Sequence, residues 1–130
     1  MSTLLDALVA MASATDVEEY LHAQGLALSL ADDSFLELSS MALESPSDEI
    51  KFEGLSVLSL LESSEAETVI RKSFETDSDG RIAEFAKAML FRLATFKTVR
   101  DGGHMPREEY VAYRDSVRRM SAQALFGASP

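Results

Sequence analysis

Ser45-Pro46-Ser47-Asp48-Glu49-Ile50-Lys51-Phe52-Glu53-Gly54-Leu55-Ser56-Val57-Leu58-Ser59-Leu60-Leu61 is the stretch that decides the fold. Serine and proline at its head carry the chemistry of a helix start: a hydroxyl that accepts an orphan amide, and a φ already fixed for the first helical position. Behind them Ile50, Phe52, Leu55, Val57, Leu58, Leu60 and Leu61 fall on nearly every side of a helix. A helix that is apolar almost all round must be covered on several sides, so the segment predicts a central helix over about 46–62 with others packed around it.

Start and stop signals flank that helix on both sides. Thr15-Asp16-Val17-Glu18 has the form of a capping box, and Gly25 offers the left-handed residue that ends many helices. Ser34 with Glu37, and Ser64 with Glu67, carry similar cap chemistry. Apolar residues recur at helical spacing in Leu38, Met41 and Ala42, in Val69, Ile70 and Phe74, and in Ile82, Phe85, Ala86, Met89, Leu90 and Leu93. Together these signals predict seven helices, over about 3–12, 16–24, 34–44, 46–62, 65–75, 80–97 and 106–124, and no strand. Only 25–33 and 101–105 read as true loops. With connections so short, successive helices pair antiparallel, giving an all-α fold of stacked hairpins.

At 130 residues the chain is long enough for one modest core and too short for two, so a single domain over 1–130 is expected. Hydrophobic residues at 46% against 26% charged place it with globular chains rather than disordered ones. The absence of cysteine removes disulfides, thiolate nucleophiles and thiolate metal ligands, and fits a reducing compartment. No apolar run approaches the roughly 20 residues of a membrane helix, and the first residues lack the basic start of a signal peptide. A cytoplasmic protein with no membrane partner is therefore expected.

Shifting the chain by 32 residues superimposes one helix pair on another: Leu38 on Ile70, Ala42 on Phe74, Ile50 on Ile82, Gly54 on Ala86, Val57 on Met89 and Leu58 on Leu90. A period of this length marks stacked helical hairpins. Gly54 and Ala86 are the small residues at which the two helices of each hairpin approach. The segment Ser45 to Lys51 with Gly54, Val57 and Leu58 resembles the short HEAT-type repeat of the phycobilin lyase-like group. The copy at Asp77-Ser78-Asp79 with Ile82, Ala86, Met89 and Leu90 follows the pattern but lacks the proline and the basic residue after isoleucine. The resemblance covers roughly 33–95 and leaves the C-terminal helix at about 106–124 as a cap. It implies a short curved stack whose second helices line a concave, protein-binding face, on a scaffold rather than an enzyme.

Net charge is −10, and it is unevenly spread. The first 67 residues hold 14 acids against the single base Lys51, a net of −13, while the rest hold 8 acids and 11 bases, a net of +3. An acidic half repels phosphate backbones and steers basic proteins, which disfavours nucleic acid and favours a cationic protein partner. The acids expected to meet that partner are Asp16, Glu18, Glu19, Asp48, Glu49 and Glu53. Arg107, Arg114, Arg118 and Arg119 on the last helix offer another route: contact with the acidic half of a second copy, giving a homo-oligomer. On that helix Tyr110, Tyr113, Val117, Met120 and Ala124 form the stripe expected to dock on the body.

Two motifs suggest cation chemistry. Glu75-Thr76-Asp77-Ser78-Asp79-Gly80-Arg81-Ile82 resembles the first eight positions of an EF-hand calcium loop, but Ala86 stands where the bidentate glutamate belongs and Glu84 comes two residues early. As plain structure, Asp77, Asp79 and Gly80 are helix-turn residues whose carboxylates cap the next helix. The stretch from Asp101 to Tyr110 ends in the acid-acid-aromatic pattern of such loops, yet puts Thr98 and Arg100 at its first ligand positions and reads as a turn before Pro106. His22 and His104 lie far apart, no nucleophile elbow or phosphate loop is present, and no metal or cofactor set is expected. The sequence thus predicts a non-catalytic acidic helical-repeat module, of adaptor, immunity, chaperone or inhibitor type, that binds a basic protein. A calcium- or metal-responsive protein using the loop from Glu75 to Glu84 is the alternative, and an enzyme whose acids converge only on folding is a third class.

Overall fold

The computed structural model describes residues 3–127; the outermost parts of the expected 1–130 domain, 1–2 and 128–130, lie outside the described residues. The described residues form α1 (Leu4–Ser13), α2 (Val17–Leu30), α3 (Phe35–Glu44), α4 (Asp48–Leu58), α5 (Ser64–Thr76), α6 (Gly80–Asp101) and α7 (Arg107–Leu125), with no strand among them. The fold class is all-α, and no helix is long and apolar enough to cross a membrane.

Several helix starts follow the expected chemistry with a shift of register, whereas Ser34, ahead of α3, makes no side-chain cap bond. Asp16, not Thr15, caps α2: its carboxylate accepts the Glu19 amide at 2.8 Å, and the Thr15 hydroxyl donates to Glu19 Oε2 at 2.9 Å. A charged acceptor outcompetes a hydroxyl at the positive end of a helix. Likewise Ser47 rather than Ser45 caps α4, leaving Pro46 ahead of the helix, and Ser63 caps α5. Thr3 and Asp6 close a full capping box on α1 that the sequence reading passed over.

Three expected boundaries are corrected. α4 ends at Leu58 rather than near 62. α2 runs through Gly25 to Leu30, so most of the expected 25–33 loop is helix. A mid-helix glycine costs about 1 kcal/mol, but the buried stripe Tyr20, Ala23, Gln24, Ala27, Ala31 continues past it, and that burial outweighs the cost. α6 reaches Asp101 rather than stopping near 97, and Gly103, at φ 75°, turns the chain toward α7.

The tightest pairs are α1–α2, α3–α4 and α5–α6, three successive hairpins. α4 touches five helices, α1, α2, α3, α5 and α6, and so stands at the centre of the core. Ile50, Gly54, Leu55, Ser56, Val57 and Leu58 are buried on it. A Cβ on Gly54 would stand 3.2 Å from both Cα and Cβ of Ala42, so glycine sets the approach of α3 to α4. Ala86 is fully buried on α6. Phe74, expected in the core at the position equivalent to Ala42, is instead exposed. The buried line of α5 runs Ala66, Ile70, Ser73, which turns position 74 outward.

α7 packs on α6 and α2, crossing from the last hairpin back to the first. Tyr110 and Ala122 are buried, and Tyr113 and Val117 half-buried. Met120 and Ala124 of the expected stripe face solvent, because α7 is rotated to lay Arg114, Arg118 and Ser121 against the body.

Candidate functional site: a groove between the second helices

The second helix of each hairpin, α2, α4 and α6, borders one groove of about 540 Å³, and the end of α7 forms its fourth side. Its apolar wall is Phe52 and Phe85, in edge-to-face contact at 5.0 Å, with Met89 and Leu125 beside them. Among its polar groups Tyr20, Gln24, Glu53 and Arg92 are each held by a neighbouring helix.

Tyr20 reaches from α2 to α4, where its hydroxyl donates to Glu53 Oε1 at 2.9 Å. Burial raises the Glu53 pKa, the Tyr20 hydrogen bond opposes the rise, and the negative charge of Glu49 one turn earlier adds to it. Burial also drives the Tyr20 hydroxyl far up, and the Glu53 charge reinforces this. Tyr20 is therefore a fixed donor at any physiological pH.

Arg92 reaches from α6 to the end of α4. Its Nε and Nη2 donate to Ser59 Oγ at 2.9 and 2.6 Å, and Nη2 also donates to the Ser56 carbonyl at 3.0 Å. The Ser59 hydroxyl is pre-aimed, since it donates to the Ser56 carbonyl at 2.7 Å. Among the described residues no carboxylate lies within ion-pair distance of Arg92. Burial pushes its pKa down to about 10, with the charge of Arg118 adding to the effect, so it stays cationic at neutral pH. Glu53 and Arg92 thus line one apolar groove without pairing with each other.

The six acids read from the sequence divide. Glu49 and Glu53 line the groove together. Asp16 and Glu19 are occupied at the start of α2, Glu18 pairs with Arg119 at 2.5 Å, and Asp48 pairs with Arg81 at 3.3 Å. Arginines of α7 meet acids of their own chain: besides Arg119, Arg107 bonds Glu62 at 2.7 Å and Arg118 bonds Asp115 at 3.2 Å, and Arg118 also donates to Gln24 Oε1 at 2.8 Å.

In the calcium-loop look-alike, Asp77 accepts from Lys51 Nζ at 3.1 Å and from the Asp79 amide at 2.9 Å. Asp79 caps α6, and Arg81 beside it holds its carboxyl below the usual range. Both acids serve the turn, and among the described residues no three His, Asp or Glu side chains come together as a metal site. His22 and His104 are exposed.

Sequence reading missed Tyr20, Ser59 and Arg92. A signal was present: Tyr20–Glu53, Asp48–Arg81 and Ser59–Arg92 are each separated by 33 residues, close to the 32-residue period. Residues one period apart on adjacent second helices are neighbours, so polar residues at that offset, above all an arginine between Phe91 and Leu93, were the ones to pair. Comparison with protein-family models, with curated proteins and with solved structures finds no match to this chain.

Proposed function

We propose that this chain is a non-catalytic, HEAT-like helical-repeat module of the cytoplasm that binds a basic protein, receiving an amphipathic segment of it in the groove between α2, α4, α6 and α7. One observation carries the reading. Glu49 and Glu53, one turn apart on α4, have no cationic partner among the described residues and stand on an apolar groove, whereas Glu18 and Asp48 are neutralised within the fold. Two adjacent carboxylates, one of them held partly desolvated, gain most from a lysine or arginine brought in by the occupant. Phe52, Phe85 and Met89 offer that segment the aromatic and sulfur contacts typical of binding pockets. The surplus of negative charge over the first 67 residues steers such a partner, so association slows as salt shortens the screening length while dissociation changes less.

The test is capture from host extract with paired variants. Glu49→Lys with Glu53→Lys abolishes capture of the basic partner, while Glu108→Lys with Glu109→Lys, at the exposed start of α7, leaves it near the wild-type level. Equal effects of both pairs, or none, overturn the proposal.

A further inference from the structure

Arg92 is the one strongly charged group of the groove that the docking of a basic segment leaves unanswered. Its Nε–Nη2 edge is taken by Ser59 and Ser56. Its Nη1 has no hydrogen-bond partner among the described residues, and the side chain lines the groove. Gln24, also on the groove wall, accepts from Arg118 through its side-chain oxygen. A largely desolvated guanidinium with no counter-charge is an unfavourable arrangement that an incoming anion relieves. With that edge engaged, an incoming carboxylate oxygen is met by Nη1 through a charge-assisted hydrogen bond, about twice as strong as a neutral one.

We propose that Arg92 is the specificity-determining cation of the groove and receives an acidic side chain of the bound segment. The occupant then carries a basic residue toward Glu49 and Glu53, apolar residues against Phe52, Phe85 and Met89, and an aspartate or glutamate toward Arg92. This deepens the basic-partner reading and rests on it: a partner basic overall presents a mixed-charge segment, not a purely cationic one. A run of lysines is rejected, since it sets a second cation against Arg92.

The experiment is selection of a random decapeptide display library on the purified full chain, with the peptides fused at their C-termini so that only side chains supply carboxylates. Wild type enriches sequences with a basic and an acidic residue flanking apolar ones. Arg92→Gln loses the acidic preference and binds the wild-type winners at least tenfold more weakly, while Glu53→Gln loses the basic preference. Because Arg92 also ties α6 to α4, each variant is checked by circular dichroism. Should Arg92→Gln unfold, Arg92→Lys keeps the charge without the guanidinium, and the acidic preference survives in weakened, salt-sensitive form. Enrichment of basic apolar peptides with no acidic preference overturns the role of Arg92 and leaves the basic-partner reading standing. Failure of wild type to enrich any peptide overturns both.

Discussion

α4 and α7 are held in the molecule by different physics. α4 has 11 residues, buries six of them and touches five other helices. α7 has 19 residues, buries only Tyr110 and Ala122, and touches two helices, α2 and α6. Half-buried Val111, Tyr113 and Val117 pack beside Tyr110, with Tyr113 edge-to-face on Phe96 at 5.9 Å, and polar contacts add to them: Arg107 to Glu62, Arg118 to Gln24 and the Leu21 carbonyl, Arg119 to Glu18. Apolar burial on many sides fixes the first, whereas a narrow apolar seam together with a set of arginine contacts holds the second. The groove lies between them, with one rigid wall and one wall that is docked more lightly.

The difference is open to substitution. The largest effect belongs to α4: Leu58→Ala, at a fully buried site, costs about 2–5 kcal/mol in chemical denaturation, whereas Val117→Ala, half-buried on α7, costs about 1 kcal/mol or less. Comparable losses would erase the distinction. Next comes the ion pair that joins α4 to the following hairpin. Lys51 and Asp77 are 17% and 7% exposed, so Asp77→Asn strands a mostly buried ammonium and costs about 2–3 kcal/mol. The neighbouring pair of Asp48 with Arg81 spans the same hairpins in solvent, and Asp48→Asn leaves the melting temperature unchanged within error.

On α7, Arg118→Ala removes bonds to Gln24 and to the Leu21 carbonyl and costs about 1–2 kcal/mol, read as faster amide exchange confined to α7. Glu53→Gln has a smaller effect and the opposite sign. Its folded-state pKa lies above the unfolded value, so the ionised form penalises folding, and that penalty is present above the folded pKa and vanishes below the unfolded one. The variant, which keeps an acceptor for Tyr20, melts roughly 1–3 °C higher at pH 7, and the gain fades toward pH 4. Glu18→Gln, at a fully exposed pair with Arg119, produces no measurable shift in melts at physiological salt.

The same contrast sets what the sequence made legible. The central helix was readable because apolar residues on all its faces admit only a buried position, and the small size of Gly54 announced the close approach to Ala42. α7 was misread because its apolar residues are sparse and its face is chosen by arginines whose partners, Gln24, Leu21 and Glu18, lie about a hundred residues away. Gly25 misled for a related reason: a glycine is a strong local stop signal, and only the tertiary burial of Ala27 and Ala31 carries α2 past it. Half of the groove was visible as acids on one helix, Glu49 and Glu53. The other half, Tyr20 and Arg92, became meaningful only once the period was used to match neighbours across the second helices.

The central claim, that the groove is the binding site, is tested most directly through methionine methyl signals of the full chain, labelled with ¹³C, during titration with the strongest display-selected peptide. Met89 lines the groove, while Met11 and Met41 lie outside it and Met120 is exposed on α7. With the peptide in the groove, the Met89 signal shifts saturably while Met11 and Met41 stay in place. A shift at Met41 or Met120 with Met89 unmoved would place the peptide elsewhere on the molecule and contradict it.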